Sequence, residues 1–290
     1  MSTPTDLPTM QETTYDVDGK KIFVAETGDG PPVVMLHGGG PGASGVSNYT
    51  RNIAGLAERY RVIVPDMPGY GRSSKGVDSA DPVGYMAGHI RGLLDRLGLD
   101  KAHLVGNSYG GACALRLALD TPHRVDRMLL MGPAGVGTTR TVPTRGARSL
   151  LTYYTGDGPS RLKLETFIRN YLVFNAAGVP DSAIEDRYRA SIDPEVIASP
   201  PTRLPSGPGA LRILWKSDFT RDPRLSQLSV PTLVLWGAED KVNRPSGARM
   251  LADRMPNCDL YMVANTGHWV QFEQADLFNR LCSDFLGGHR

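Results

Sequence analysis

Gly106-Asn107-Ser108-Tyr109-Gly110-Gly111 stands between an apolar run, His103-Leu104-Val105, and a helix-periodic segment, Tyr109 to Leu119. A strand that ends on Gly-x-Ser-x-Gly and passes directly into a helix is the pattern of a nucleophile elbow. The serine at such a turn takes a strained backbone conformation, and a Cβ at Gly106 or Gly110 would collide with the neighbouring turn. Ser108 is therefore the candidate nucleophile. The helix N-terminus behind it favours negative charge developing there.

Working outward from the elbow, short uniformly apolar runs alternate with helical patterns. The strands are read at Val33 to Leu36, Arg61 to Val64, Ala102 to Val105 and Arg127 to Met131, then at Thr232 to Trp236 and Asp259 to Val263. Between them lie helices near Asn48 to Arg59, Val83 to Leu97, Tyr109 to Leu119, Ser246 to Arg254 and Glu273 to Leu286. Apolar strands separated by helices predict a mostly parallel twisted sheet flanked by helices, an α/β fold. Before it, Lys21 to Glu26 and the turn Gly28-Asp29-Gly30-Pro31 predict a hairpin into the first inner strand. The rhythm breaks between Gly137 and Pro223, where amphipathic helices (Arg161 to Phe174, Ser182 to Ser191) and a Pro/Gly-rich hinge (Ser199 to Gly209) predict an inserted helical lid. The expected organisation is a core from 1 to 136, a lid from 137 to 223 and a second core part from 224 to 290.

A serine hydroxyl needs a base to take its proton and a carboxylate to orient that base. With such an elbow the chain order is serine, acid, histidine. Of six histidines only His268 follows the last predicted strand, in Gly267-His268-Trp269 at the start of a helix. His37, ending a strand, is read as shaping the next loop. His89, His103, His123 and His289 are read as structural. The acid should leave a strand end before His268, and Trp236-Gly237-Ala238-Glu239-Asp240 supplies it. Asp240 is the expected acid and Glu239 the alternative, while Asp66 is expected to brace its own loop. Gly38-Gly39-Gly40 follows the strand ending at Leu36 and frees backbone N–H groups, so the Gly39 and Tyr109 N–H groups are the expected oxyanion hole.

The 290 residues are 40% hydrophobic, 21% charged and 7% aromatic, with a formal net charge of +2. Disorder and a disulfide-stapled miniprotein are excluded, and without a basic run or Lys/aromatic stripe nucleic acid is not an expected partner. The longest uncharged apolar stretch, Met128 to Val136, is far short of the ~18 residues of a membrane span. No signal-peptide pattern is read in Met1 to Asp16, so a cytoplasmic location is expected. Cys113, Cys258 and Cys282 show neither metal spacing nor a disulfide framework. With no phosphate loop or metal-ligand cluster, neither metal nor cofactor is expected.

Elbow, acid, histidine and glycine loop, spread over Val33 to Leu286, together resemble the α/β-hydrolase superfamily. Finer motifs resemble one branch of it: His37-Gly38-Gly39-Gly40-Pro41-Gly42-Ala43, Ser47-Asn48-Tyr49, Leu104-Val105-Gly106-Asn107-Ser108, Met131-Gly132-Pro133 and Gly267-His268-Trp269. These are similar to the meta-cleavage product hydrolases, which cleave a carbon–carbon bond in 2-hydroxy-6-oxo-dienoates formed by ring opening of catechols. The loop resembles the members acting on bulky 6-aryl or steroid-derived substrates, where hydrolases of small semialdehydes tend to carry Gly-Ser-Gly-Pro-Gly. Trp236 to Asn243 and Phe285-Leu286-Gly287-Gly288 lean toward the steroid-degrading members.

The resemblance implies the triad Ser108, Asp240 and His268, oxyanion donors Gly39 and Tyr109, and a dienoate pocket lined by Asn48, Asn107, Arg187 and Trp269. Arg187 suits a buried carboxylate because its guanidinium is a planar, always charged fork; the other reading pairs it with Asp181 or Glu185 on a solvated helix face. The lid from Arg140 to Arg224 carries 13 Lys/Arg against 9 Asp/Glu, a tilt that suits an acidic substrate. Self-association into a homo-oligomer is implied by the family. The rival readings are a carboxylesterase or amidase on the same fold and a non-catalytic lidded receptor for small molecules.

Overall fold

The computed structural model describes residues 7–203 and 207–288. Residues 1–6, residues 204–206 of the predicted hinge, and His289 lie outside them. Eight strands form one sheet: β1 (Gln11–Val17), β2 (Lys20–Thr27), β3 (Pro32–Leu36), β4 (Arg61–Pro65), β5 (Ala102–Asn107), β6 (Val125–Met131), β7 (Thr232–Gly237) and β8 (Cys258–Val263). Their order is β1-β2-β4-β3-β5-β6-β7-β8. Every pairing from β4 to β8 is parallel.

The inner strands are apolar throughout because both faces are covered. Along β3, Val34 and Leu36 pack on one side with Ile63, Leu104 and Leu130. Val33 and Met35 face the other side with Val62, Val105 and Leu129. This alternation is the period-2 geometry of a strand, doubled by helices on each face. One face is covered by the helices Pro82–Arg96 and Tyr109–Asp120. The other is covered by Ile53–Ala57 and Ala275–Leu286.

The hairpin differs from the sequence reading. It joins β1 to β2 through Asp18-Gly19, both with positive φ (52° and 77°), and β2 pairs with β4 rather than β3. Asp-Gly between two alternating segments is the turn that matches strand twist; the Gly28 to Pro31 turn instead carries the chain across β4 to the sheet interior. The segment read as one helix near Asn48 to Arg59 is two short ones, Gly45–Asn48 and Ile53–Ala57. Arg161 to Phe174 is an α-helix to Phe167 continued by one π turn, Ile168–Leu172.

Two features of this topology position a site. The chain leaves β3 for β4 on one side and returns to β5 on the other, so a crevice opens beyond the C-terminal ends of β3 and β5. Between β6 and β7 the chain builds a helical layer with its own apolar cluster, including Phe167, Leu172 and Ile184. That cluster closes on Val242, Trp269 and Phe272 from the β7 and β8 loops.

Candidate active site

The elbow has the expected strain. Ser108 sits at φ 53°, ψ −109°, and its N–H donates to the Met131 carbonyl at 2.8 Å. A Cβ at Gly106 would run into the Gly110 and Gly111 backbone, and one at Gly110 into the Leu36 and His37 backbone. Those close approaches explain the glycines: the turn must lie flat against the end of β3, where the glycine loop begins.

Across the crevice, His268 Nδ1 lies 2.7 Å from Asp240 Oδ2, and both side chains are buried. Asp240 is the group that fixes the geometry. Its Oδ1 accepts from Val242 N (2.8 Å) and Asn243 N (2.9 Å), and its Oδ2 also accepts from Trp236 Nε1 (3.0 Å). With four donors around the carboxylate, Nδ1 of His268 carries the proton that points at Oδ2, which leaves Nε2 free to accept. Nε2 is buried and has no partner among the described residues. Glu239 does different work, accepting from Thr266 N at 2.9 Å.

The histidine loop is pinned from the helical layer. His268 N and Trp269 N both donate to the Leu172 carbonyl at the end of the π turn, at 2.8 and 3.2 Å. Glu273 accepts from Gly267 N at 2.7 Å and from Phe174 N and Asn175 N at 2.8 and 2.9 Å. Neither contact was legible from residue type; both depend on where the π turn ends.

The glycine loop is braced by two residues behind it. His37 Nε2 accepts from Met67 N at 3.0 Å, so its Nδ1 carries the proton and donates to the Gly38 carbonyl at 2.9 Å. Burial pushes the His37 imidazole below its ordinary range, with Asp66 pulling the other way. Asp66 accepts from Gly45 N (2.7 Å) and Arg72 N (2.8 Å), holding the next loop. Tyr70 Oη donates to the Gly39 carbonyl at 3.2 Å, which ties the glycine loop to the Tyr70 side chain. Among the described residues neither Gly39 N nor Tyr109 N donates to another group.

A narrow cavity of about 20 Å³ is lined by Ser108, His268, Gly38 to Gly40, Asn48, Asn107, Arg187 and Trp269. A larger one of about 440 Å³ adjoins it, sharing Gly39, Ser108, Leu150 and Val242, and Tyr109 lines this second space. Of the residues expected at the site, all but Asp240 border one of two cavities that meet at Ser108, and Asp240 lies behind His268. Arg187 comes from the helix Asp181–Ser191 and is the one buried Lys or Arg among the described residues. Its guanidinium carbon lies 4.7 Å from the Trp269 ring centroid, and no carboxylate pairs with it among the described residues. Burial pushes it down to about 10, which keeps it charged at neutral pH. Four buried polar atoms on the narrow cavity's residues lack a partner: Arg187 Nε, His268 Nε2, Asn48 Nδ2 and Trp269 Nε1. Among the described residues no three His, Cys, Asp or Glu side chains cluster to hold a metal ion.

The α/β hydrolase fold family matches residues 31–275. A 2-hydroxy-6-oxo-6-phenylhexa-2,4-dienoate hydrolase from Burkholderia cepacia is 38% identical over 92% of this chain and 91% of its own length. The chain belongs to the meta-cleavage product hydrolases. A second member, a 2-hydroxy-6-oxononadienedioate/2-hydroxy-6-oxononatrienedioate hydrolase from Comamonas testosteroni, is 37% identical over 92% of this chain and 91% of its own. The solved structure of a variant meta-cleavage product hydrolase from Pseudomonas fluorescens superposes with a TM-score of 0.84 at 32% identity, covering 95% of this chain and 97% of the other. A Bacillus subtilis carboxylesterase shares the fold, with a TM-score of 0.79 at 21% identity over 98% of this chain and 93% of its own. As a meta-cleavage product hydrolase the chain is an enzyme that hydrolyses a carbon–carbon bond.

The sequence did not single out Trp236, Glu273 or Tyr70 as part of the site. Trp236 alone had a readable signal, since it stands four residues before Asp240 on the strand that delivers the acid.

Proposed function

We propose that this enzyme hydrolyses the C5–C6 bond of a 2-hydroxy-6-oxo-hexa-2,4-dienoate with a bulky 6-substituent, using Ser108, Asp240 and His268. The observation that carries the reading is Arg187: a charged, unpaired guanidinium buried in a cavity that also holds unpartnered Asn48, Trp269 and His268 atoms beside the serine. A buried charge without a partner is costly, and an anionic ligand relieves that cost. A dienoate supplies a carboxylate at C1 and an oxygen at C2 for these groups, with Asn107 at the same wall. Its C6 carbonyl then reaches Ser108, and the 6-substituent enters the larger cavity.

The reaction runs in two stages. In the first, the 2-hydroxyl loses its proton and C5 gains one, with His268 carrying protons, so that the dienol becomes a 2,6-dioxo-3-enoate. In the second, Ser108 Oγ bonds to C6 as His268 Nε2 takes its proton, and Gly39 N–H and Tyr109 N–H hold the oxyanion. The C5–C6 bond breaks with its electron pair delocalised onto the C2 oxygen, and the imidazolium proton completes 2-hydroxypenta-2,4-dienoate. Water, deprotonated by His268, then cleaves the acyl-Ser108 ester to a carboxylic acid. Residues 137–223 act as the lid, between core parts 1–136 and 224–290. We also infer a cytoplasmic homo-oligomer: all three cysteines are free, and the exposed Leu211 and Trp215 supply apolar contact surface. No helix among the described residues is long and apolar enough to cross a membrane.

Following a coloured 6-phenyl dienoate and a p-nitrophenyl ester in parallel tests the reading. Fast bleaching of the dienoate is expected, with a loss of at least about 10³-fold in Ser108→Ala. Fast ester cleavage with the dienoate untouched would make the protein an esterase instead.

A further inference from the structure

The residue after the nucleophile has a side chain for which bond cleavage has no use. Tyr109 gives its backbone N–H to the oxyanion, while its phenol side chain forms part of the wall of the larger cavity. The ring packs against the apolar cluster that contains Val83 and Ala112. Two neighbouring hydroxyls are engaged, since Tyr70 Oη and Thr202 Oγ1 both donate to the Gly39 carbonyl. The Tyr109 hydroxyl has no hydrogen-bond partner among the described residues, and it is not one of the sealed unpartnered atoms, so it remains open to a ligand. Burial raises its pKa well above the ordinary tyrosine value, which keeps it a proton donor. A donor without a protein partner that faces the open space of a largely apolar wall is free to pair with an acceptor on whatever fills the cavity.

With the carboxylate at Arg187 and C6 at Ser108, the 6-substituent occupies the cavity in which Tyr109 is the nucleophile's immediate neighbour. The cationic groups lining that cavity, Arg203 and Arg244, are exposed and stand at its outer rim. The wall beside Tyr109 therefore offers a neutral donor. We propose that the Tyr109 hydroxyl is a specificity subsite that donates to an uncharged oxygen, a ring hydroxyl or ketone, carried on a cyclic 6-substituent.

This inference rests on the dienoate reading, and the test separates the two. The probes are a 6-phenyl dienoate and its three isomeric 6-(hydroxyphenyl) analogues, with kcat/KM measured for wild type and Tyr109→Phe. Only the ratio of oxygenated to plain substrate within one enzyme is read, so any common effect on turnover cancels. Wild type is expected to favour one hydroxyphenyl isomer by about 10-fold, the effect of one net hydrogen bond. In Tyr109→Phe that ratio is expected to fall to within about twofold of unity. A wild type that prefers no isomer, or a preference that survives in Tyr109→Phe, overturns the subsite while leaving carbon–carbon hydrolysis intact. A wild type that bleaches none of the four dienoates overturns the dienoate reading and the subsite with it. Should Tyr109→Phe fail to fold, Tyr109→Leu is read by the same ratio, with the same expected fall toward unity.

Discussion

Arg187 is a buried charge without an ionic partner among the described residues. Its guanidinium stands over the Trp269 face. An isolated buried charge is destabilising, and an apolar group of similar length is often better tolerated. Arg187→Met is therefore expected to be more stable than wild type by about 1–3 kcal/mol in urea unfolding. The same variant is expected to lose at least about 10²-fold in kcat/KM on a dienoate. A variant that loses stability instead would make Arg187 a structural residue and remove the strongest support for an anionic substrate. The type of residue was readable in Glu185-Asp186-Arg187-Tyr188, but its burial was not. Burial follows from the helix crossing the glycine loop so closely that a Cβ at Gly42 would overlap the Arg187 carbonyl.

At the scale of elements, the loop after β3 depends on the protonation of one imidazole. His37 accepts from Met67 N through Nε2, which requires that nitrogen to be unprotonated. Burial lowers its folded-state pKa below the ordinary 6.5, and the buried His103 is lowered in the same sense. Between the folded and unfolded pKa values the unfolded chain binds more protons, so stability rises with pH across that window. The contribution is complete above about pH 6.5 and is lost as pH falls from there toward the folded value. Unfolding free energy measured from pH 7.5 to 5 is expected to fall, with a shallower slope in His37→Asn; an unchanged slope would remove His37 as its source. The elements that deliver Ser108, Asp240 and His268 were legible because apolar strands ending in Gly, Asp or His turns are local patterns. The π turn was not: Arg161 to Phe174 keeps helical apolar spacing throughout, and the widening at Ile168–Leu172 is what lets the Leu172 carbonyl face His268 and Trp269. The β1–β2 hairpin was overlooked although Asp18-Gly19 marks it, because Gln11 to Val17 is an edge strand with mostly exposed side chains and little apolar signal.

For the molecule as a whole, the sequence shows the parallel sheet and the insertion, while the division of the crevice into two cavities appears only when the helical layer is folded onto Val242 and Trp269. That division sorts charge. The narrow cavity holds the one buried cation among the described residues, and the larger cavity has none buried in its wall, only the exposed Arg203 and Arg244. Overall likeness does not choose the 6-substituent, because relatives named for a phenyl group and for a second carboxylate stand at 38% and 37% identity. The lining of the larger cavity supplies the ground for a prediction. A carboxylate at the end of the 6-substituent would enter an apolar space without a buried partner and lose hydration worth several kcal/mol, or else hold its chain extended to the rim. A 6-phenyl dienoate is therefore expected to exceed 2-hydroxy-6-oxonona-2,4-dienedioate in kcat/KM by about 10²-fold or more, mainly through KM. Raising ionic strength is expected to leave that ratio nearly unchanged, because the penalty is desolvation and not screened repulsion. Equal turnover of the two, with a strong salt dependence confined to the dienedioate, would mean that Arg203 or Arg244 folds over the substituent and that the rim reads charge.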